Sequence, residues 1–160
     1  MTGSRSGLDA TQCLAIEIAG YRALIDLLHG EQDALRRADA DALSAVVSAK
    51  VSQIASLEAI AAARAATIKA MGFTPDRAGV QAWLSSQRDR ESAVREWTTL
   101  VGLADYAQRQ NRINYHLAAI QERHVDRAIT ALWNAAGAAS TYGADGRSHH
   151  AAAPRELASV

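Results

Sequence analysis

Hydrophobic residues recur along most of this sequence at alternating intervals of three and four residues. The longest such pattern runs from about Glu91 to Ala138 without a proline, and its positions are Trp97, Leu100, Ala104, Ala107, Asn111, Asn114, Ala118, Gln121, Val125, Ala128 and Leu132. This is the period of a helix that winds around partner helices. A second row widens the apolar stripe with Leu103, Tyr106, Ile113, Leu117 and Ile120. We therefore expect this helix to have more than one neighbour.

Two earlier segments carry the same helical period. The first runs from about Asp9 to Arg37, and the second continues to about Met71 after a cap at either Asp39 or Asp41. Lys50 and Arg64 fall on or beside the apolar stripe of the second helix. We expect their carbon stems to lie along the core while their charges stay in water.

A short helix is predicted between the second and the last long helix. Gly72 ends the second helix, Thr74 is the expected cap of the short one, and Pro75 falls in its first turn, where a missing N–H costs nothing. Its apolar face consists of Val80, Trp83 and Leu84. The polar run 85–90 fits either a turn or a continuous helix.

Composition supports an all-α fold. The chain has 160 residues, only two prolines and few aromatic residues, which favours long, closely packed helices. We predict an elongated antiparallel helical bundle or coiled coil of three long helices plus one short helix. Residues 9–138 form its helical domain, 1–8 a flexible N-terminus, and 139–160 a flexible C-terminal tail that is too polar to hold a fold.

Charge and hydropathy exclude several classes of partner. Seventeen basic residues balance seventeen acidic ones, so no general attraction for nucleic acid is expected. No signal-peptide pattern opens the chain, and no segment approaches eighteen uncharged apolar residues. We expect a cytoplasmic protein without stable membrane insertion.

Catalytic and metal-binding patterns are also missing from the sequence. The five histidines form no Glu-x-x-His pair of the kind found in metal-binding bundles. No phosphate-binding loop and no nucleophile elbow occurs. We therefore expect no enzyme activity, no metal and no cofactor.

Two asparagines on the inner seam of the last helix stand where leucine would stabilise more. Buried asparagines usually fix register or partner choice at a cost in stability. Asn111 and Asn114 either pair with other helices of the same bundle or await a helix from a partner. Trp133, near the end of that helix, is either a core aromatic residue or an anchor for a bound helix.

An ordered set of motifs resembles the FlgN-type flagellar export chaperones. The set comprises Glu31-x-x-Ala34-Leu35, Lys50, Arg64, Met71-Gly72-Phe73, Trp83-Leu84, Trp97, Asn111-x-x-Asn114 and Tyr142-Gly143-Ala144-Asp145-Gly146-Arg147. Each motif is weak alone, but their order from about Tyr21 to Arg147 is fairly specific.

The resemblance implies a small helical cytoplasmic chaperone of the flagellar type III secretion system. Its partners would be the FlgK-like and FlgL-like hook-associated proteins, whose disordered C-terminal segments it would keep from premature assembly, and the export gate protein FlhA. The implied gate contact is Tyr142. The implied substrate-binding residues are Asn111, Asn114, Leu117, Ile120, Val125, Ile129, Leu132 and Trp133.

An alternative function uses the same stripe without an export substrate. A seam with this spacing is also typical of a coiled-coil protein that self-associates in a structural or regulatory role. Self-association could likewise cover the stripe of a chaperone while no substrate is bound.

Overall fold

The computed structural model describes residues 10–140, which form four helices. Helix α1 spans Ala10–Arg37, α2 spans Ala40–Ala70, α3 spans Arg77–Ser85 and α4 spans Arg90–Ser140. The described residues contain no strand. The predicted all-α fold with three long helices and one short one is confirmed. The predicted flexible N-terminus and nearly all of the predicted C-terminal tail lie outside the described residues.

The chain divides into two compact units within α4. The first unit ends at Ala118 and the second begins at Ala119. The first unit contains α1, α2, α3 and the N-terminal part of α4, whereas the described residues of the second are the C-terminal part of α4. The helical segment predicted as one domain, 9–138, therefore extends over both units.

Two ion pairs join α1 and α2 in antiparallel orientation. Arg64 Nε lies 2.7 Å from Glu17 Oε2, and Lys50 Nζ lies 2.5 Å from Glu31 Oε1. The two pairs are two heptads apart on each helix, and both carboxylates are buried. The prediction that the charges of Lys50 and Arg64 stay in water is wrong, because each has a buried carboxylate of α1 as its partner.

Two apolar clusters fill the first unit. One lies where α3 packs against the three long helices, and it consists of Leu14, Ile18, Ile68, Val80, Trp83, Leu84, Ala93 and Leu100. The other lies further along α1 and consists of Leu24, Ile25, Leu28, Leu57 and Ala107. The expectation that the apolar face of α4 meets more than one neighbour holds here, since these clusters join α4 to the other three helices.

Carboxylate side chains cap the N-termini of α2 and α4. Asp39 Oδ1 accepts a hydrogen bond from Ala42 N at 3.0 Å, so Asp39 rather than Asp41 begins α2. Asp89 Oδ1 accepts from Ser92 N at 3.0 Å, where α4 begins. The polar run 85–90 is therefore a turn between two helices and not a continuous helix.

The predicted N-cap of α3 is wrong by two residues. Asp76, not Thr74, is the N-cap, and its Oδ1 accepts from Gly79 N at 2.8 Å. That hydrogen bond, together with one from the Thr74 side chain, lowers the pKa of Asp76 below its usual range. Thr74 thus supports the capping carboxylate, and Pro75 lies before the helix. Gly72 ends α2 as predicted, with φ of 87°.

Helix α2 leaves an apolar row uncovered. It is long and apolar enough, by length and composition alone, to cross a membrane, and only 6% of the qualifying window is buried. Core helices of soluble proteins meet the same criteria but are mostly buried. The large aliphatic residues exposed on this helix are Val47, Val51 and Ile54.

Two glycines should respond oppositely to alanine. A Cβ at Gly79 would overlap the Thr74 carbonyl, whereas a Cβ at Gly102 meets nothing within 4 Å. We expect Gly79→Ala to lower the free energy of unfolding by about 2 kcal/mol and Gly102→Ala to raise it by about 0.5–1 kcal/mol. Urea unfolding measures both, and a loss at both positions would contradict this description of α4.

Breaking a buried ion pair should cost more than breaking an exposed one. Glu17→Gln leaves the Arg64 guanidinium without a counter-charge and is expected to destabilise by about 3 kcal/mol. The matched control is Asp105→Asn, because Asp105 pairs with Arg109 at 2.7 Å on the surface, where the cost is below about 1 kcal/mol. Equal unfolding free energies for the two variants would be inconsistent with a structural role for Glu17.

Candidate protein-binding site

The C-terminal part of α4 carries large exposed apolar side chains. In the second unit these are Ile120, Val125, Ile129, Leu132 and Trp133. Leu132 is 70% exposed and Trp133 74% exposed. Val125, Ile129, Leu132 and Trp133 follow one another at helical intervals, and exposed apolar side chains on one side of a helix often mark a site of protein association. We call these five residues the distal stripe.

The three predicted site residues of the first unit differ in their surroundings. Asn111 is exposed, Leu117 is half-buried and Asn114 is only 2% exposed. Asn114 Nδ2 donates to the Leu28 carbonyl at 2.7 Å and to Glu31 Oε2 at 2.9 Å. Of the two alternatives for the asparagines, pairing within the bundle therefore applies to Asn114, while Asn111 lies at the surface.

Glu31, Lys50 and Asn114 form one polar layer that joins three helices. Glu31 accepts from Lys50 through one carboxylate oxygen and from Asn114 through the other. Both oxygens of this buried carboxylate therefore have donors, as a buried charge requires. The layer positions α4 against the hairpin of α1 and α2.

A second polar layer lies towards α3. The Arg64 guanidinium bonds both oxygens of Glu17 and sits 5.0 Å from the centre of the Trp97 ring, which adds a cation–π contact. Tyr21 lies nearby, and burial followed by the Glu17 carboxylate raises its pKa, while Arg64 partly offsets the rise. This layer repeats the arrangement of the first, with an aromatic ring of α4 in place of the amide.

Sequence reasoning did not identify the two buried glutamates as core residues. Charged residues are rarely buried, so the helical pattern alone does not place Glu17 and Glu31 in the core. A usable signal was present, since the two glutamates are separated by the same two heptads as the two cations on the stripe of α2. If α1 and α2 run antiparallel, these equal separations bring Glu17 opposite Arg64 when Glu31 is opposite Lys50, and both ion pairs are then expected.

A cavity of about 160 Å³ lies between α1, α2 and α4, between the two polar layers. Its size reflects the small residues that α4 contributes there. The lining residues are Tyr21, Leu24, Leu28, Lys50, Ile54, Ala104, Ala107, Gln108 and Asn111. All of them belong to the first unit.

Residues of the types that bind metals are not grouped together in the described part of the chain. Within it, no group of three or more His, Cys, Asp or Glu side chains is placed to hold a metal ion. His29 is engaged in a contact with Tyr106, with Nε2 3.2 Å from the hydroxyl oxygen. The predicted gate contact Tyr142 lies outside the described residues.

Comparisons with known proteins agree with this architecture. The family model described as FlgN protein matches residues 9–150. A crystal structure of a Pseudomonas aeruginosa protein described as a flagella synthesis protein FlgN is 25% identical, with a TM-score of 0.61, and the match covers 66% of this chain and 83% of that one. No curated protein sequence matches this chain. The resemblance inferred from the ordered motifs is thus confirmed.

The two asparagines should differ sharply in their effect on stability. Asn114→Ala removes two hydrogen bonds from a buried layer and is expected to lower the free energy of unfolding by about 1–3 kcal/mol. Asn111→Ala, at an exposed position three residues earlier, should change it by less than about 0.5 kcal/mol. Chemical denaturation of both variants tests this, and a neutral Asn114→Ala would argue against the polar layer.

Proposed function

Because this chain belongs to the FlgN family, we propose that it is a cytoplasmic chaperone of the flagellar type III export system. The family consists of non-enzymatic flagellar proteins. The observation that carries the proposal is the distal stripe, which presents large aliphatic and aromatic side chains to solvent. Its proposed occupants are the disordered C-terminal segments of FlgK-like and FlgL-like hook-associated proteins, which we call the client segments.

The stripe suits recognition of a segment that folds as it binds. Exposed apolar residues at helical spacing can receive the apolar face of an amphipathic helix from another chain. A client segment ordered in this way loses conformational entropy on binding, so the complex remains reversible enough for later release. Occupation of its apolar face would also keep the client from assembling prematurely.

Delivery to the export gate requires a contact separate from client binding. The family resemblance assigns that contact to Tyr142 and the gate protein to FlhA. A tyrosine offers apolar area and a hydrogen-bonding hydroxyl for few immobilised torsions. We expect Tyr142→Ala to weaken binding to FlhA while client binding persists.

Self-association through the distal stripe is the second candidate function. It is favoured by the same exposure, since an apolar surface of this kind is seldom left in water. Light scattering over a range of concentrations decides between them. A stable oligomer that the client segment does not dissociate would favour the structural role over the chaperone.

The direct test is calorimetric titration with the last ~40 residues of the FlgK-like protein from the same organism, which would span about 60 Å as a helix. We expect saturable one-to-one binding and a rise in helicity on mixing. A folded protein that shows neither heat nor a helicity change would contradict the chaperone function.

A matched pair of variants localises the binding surface. Ile129 and Val101 are β-branched residues of α4 with similar exposure, 47% and 49%, but only Ile129 belongs to the distal stripe. We expect Ile129→Ala to raise the Kd for the client segment about tenfold, as loss of a contributing contact does. Val101→Ala should leave the Kd within about twofold, and equal effects would place the surface elsewhere.

A further inference from the structure

Two carboxylates continue one edge of the distal stripe over the preceding turns of α4. Glu122 and Asp126 are both exposed. They precede Ile129 and Trp133 by seven residues each, and positions seven apart lie on the same side of a helix. The edge that Ile129 and Trp133 form is therefore acidic at its N-terminal end. We call Glu122 and Asp126 the acidic edge.

The acidic edge is complementary to cations of a partner. Neither of its carboxylates takes part in an ion pair among the described residues. They stand four residues apart, where like charges on a helix repel each other. Cations of a partner would relieve that repulsion and donate charge-assisted hydrogen bonds. A partner with carboxylates at the same place would be disfavoured.

The arginines of the same turns lie on another side of the helix. Arg123 and Arg127 are exposed, and they precede Thr130 and Asn134 by seven residues each. They therefore continue a polar side of α4 and not the distal stripe. Neither arginine forms an ion pair with the acidic edge. The charge of the acidic edge is thus left for a partner to neutralise.

The charges also have a definite position along the stripe. Within the described residues of the second unit, every Asp, Glu, Lys and Arg falls between positions 122 and 127, and residues 128–140 include none. A partner that covers the stripe therefore meets carboxylates at one end only. At the other end it meets Ile129, Leu132 and Trp133, which offer apolar surface.

We propose that the client segment carries two Lys or Arg side chains, three or four residues apart at one end of its apolar face, which bind the acidic edge. This rests on the proposed chaperone function. The apolar face of the client covers Val125, Ile129, Leu132 and Trp133 and supplies most of the affinity. The ion pairs select which segments are accepted and fix the direction in which the client lies along α4.

Removing charges from the two sides of α4 tests this proposal. Glu122→Gln with Asp126→Asn removes the acidic edge, and the matched control, Arg123→Gln with Arg127→Gln, removes two exposed charges from the same turns. In titrations of the full chain with the same client peptide at low salt, we expect the Kd to rise at least about fivefold for the first variant and to stay within about twofold for the control. Equal Kd values for the two variants overturn the role of the acidic edge but not the chaperone, whereas no binding by the wild-type chain overturns both.

A charge swap tests the contact directly. Replacing the paired Lys or Arg side chains of the client peptide with Glu is expected to weaken binding to the wild-type chain by about tenfold or more. Glu122→Lys with Asp126→Lys should then restore the Kd to within about threefold, because only groups in contact compensate for each other in this way. Failure of the swap to restore binding, or tight binding of a client segment that carries no such pair of cations, overturns the proposal.

Discussion

The buried ion pairs between α1 and α2 are the constraint on which the rest of the structure depends. Glu17 meets Arg64 and Glu31 meets Lys50, two heptads apart, with Leu24 and Leu57 in the apolar cluster between them. Sliding one helix by a heptad would bring Glu17 opposite Leu57 and leave buried charges unpaired. Since an unpaired buried charge costs several kcal/mol, the pairs select one register even though their net contribution to stability is small.

Helix α4 is held by the same two layers. Asn114 donates to the carboxylate that Lys50 already contacts, and Trp97 receives the guanidinium that Glu17 orients. Between the layers, Leu100 and Leu103 of α4 pack into the apolar clusters, whereas Ala104 and Ala107 leave space beside α1 and α2. The cavity results because the two polar layers hold α4 at Trp97 and Asn114, while the alanines between them are too small to fill the space beside α1 and α2.

The two units differ in how far their large apolar side chains are buried. In the first unit, large residues such as Trp83, Leu14 and Ile68 are almost completely buried. In the second, the distal stripe is exposed on a helical segment that forms no cluster of buried residues among its described positions. A helix with large exposed apolar residues is stabilised by association with a partner, which is the physical basis of the chaperone proposal.

The sequence by itself determined the helices, most of their ends and the apolar stripe, because helical period, capping carboxylates and glycine act locally. Only the tertiary structure decided which polar residues are inside. Asn111 and Asn114 look equivalent in sequence, yet α1 presents a carbonyl and a carboxylate to Asn114 alone. Thr74 and Asp76 are both residue types that favour N-cap positions. The hydrogen bond from Gly79 N to the Asp76 carboxylate makes Asp76 the N-cap of α3. Burial of Glu17 and Glu31 depends on cations more than fifteen residues away, which no local pattern reports.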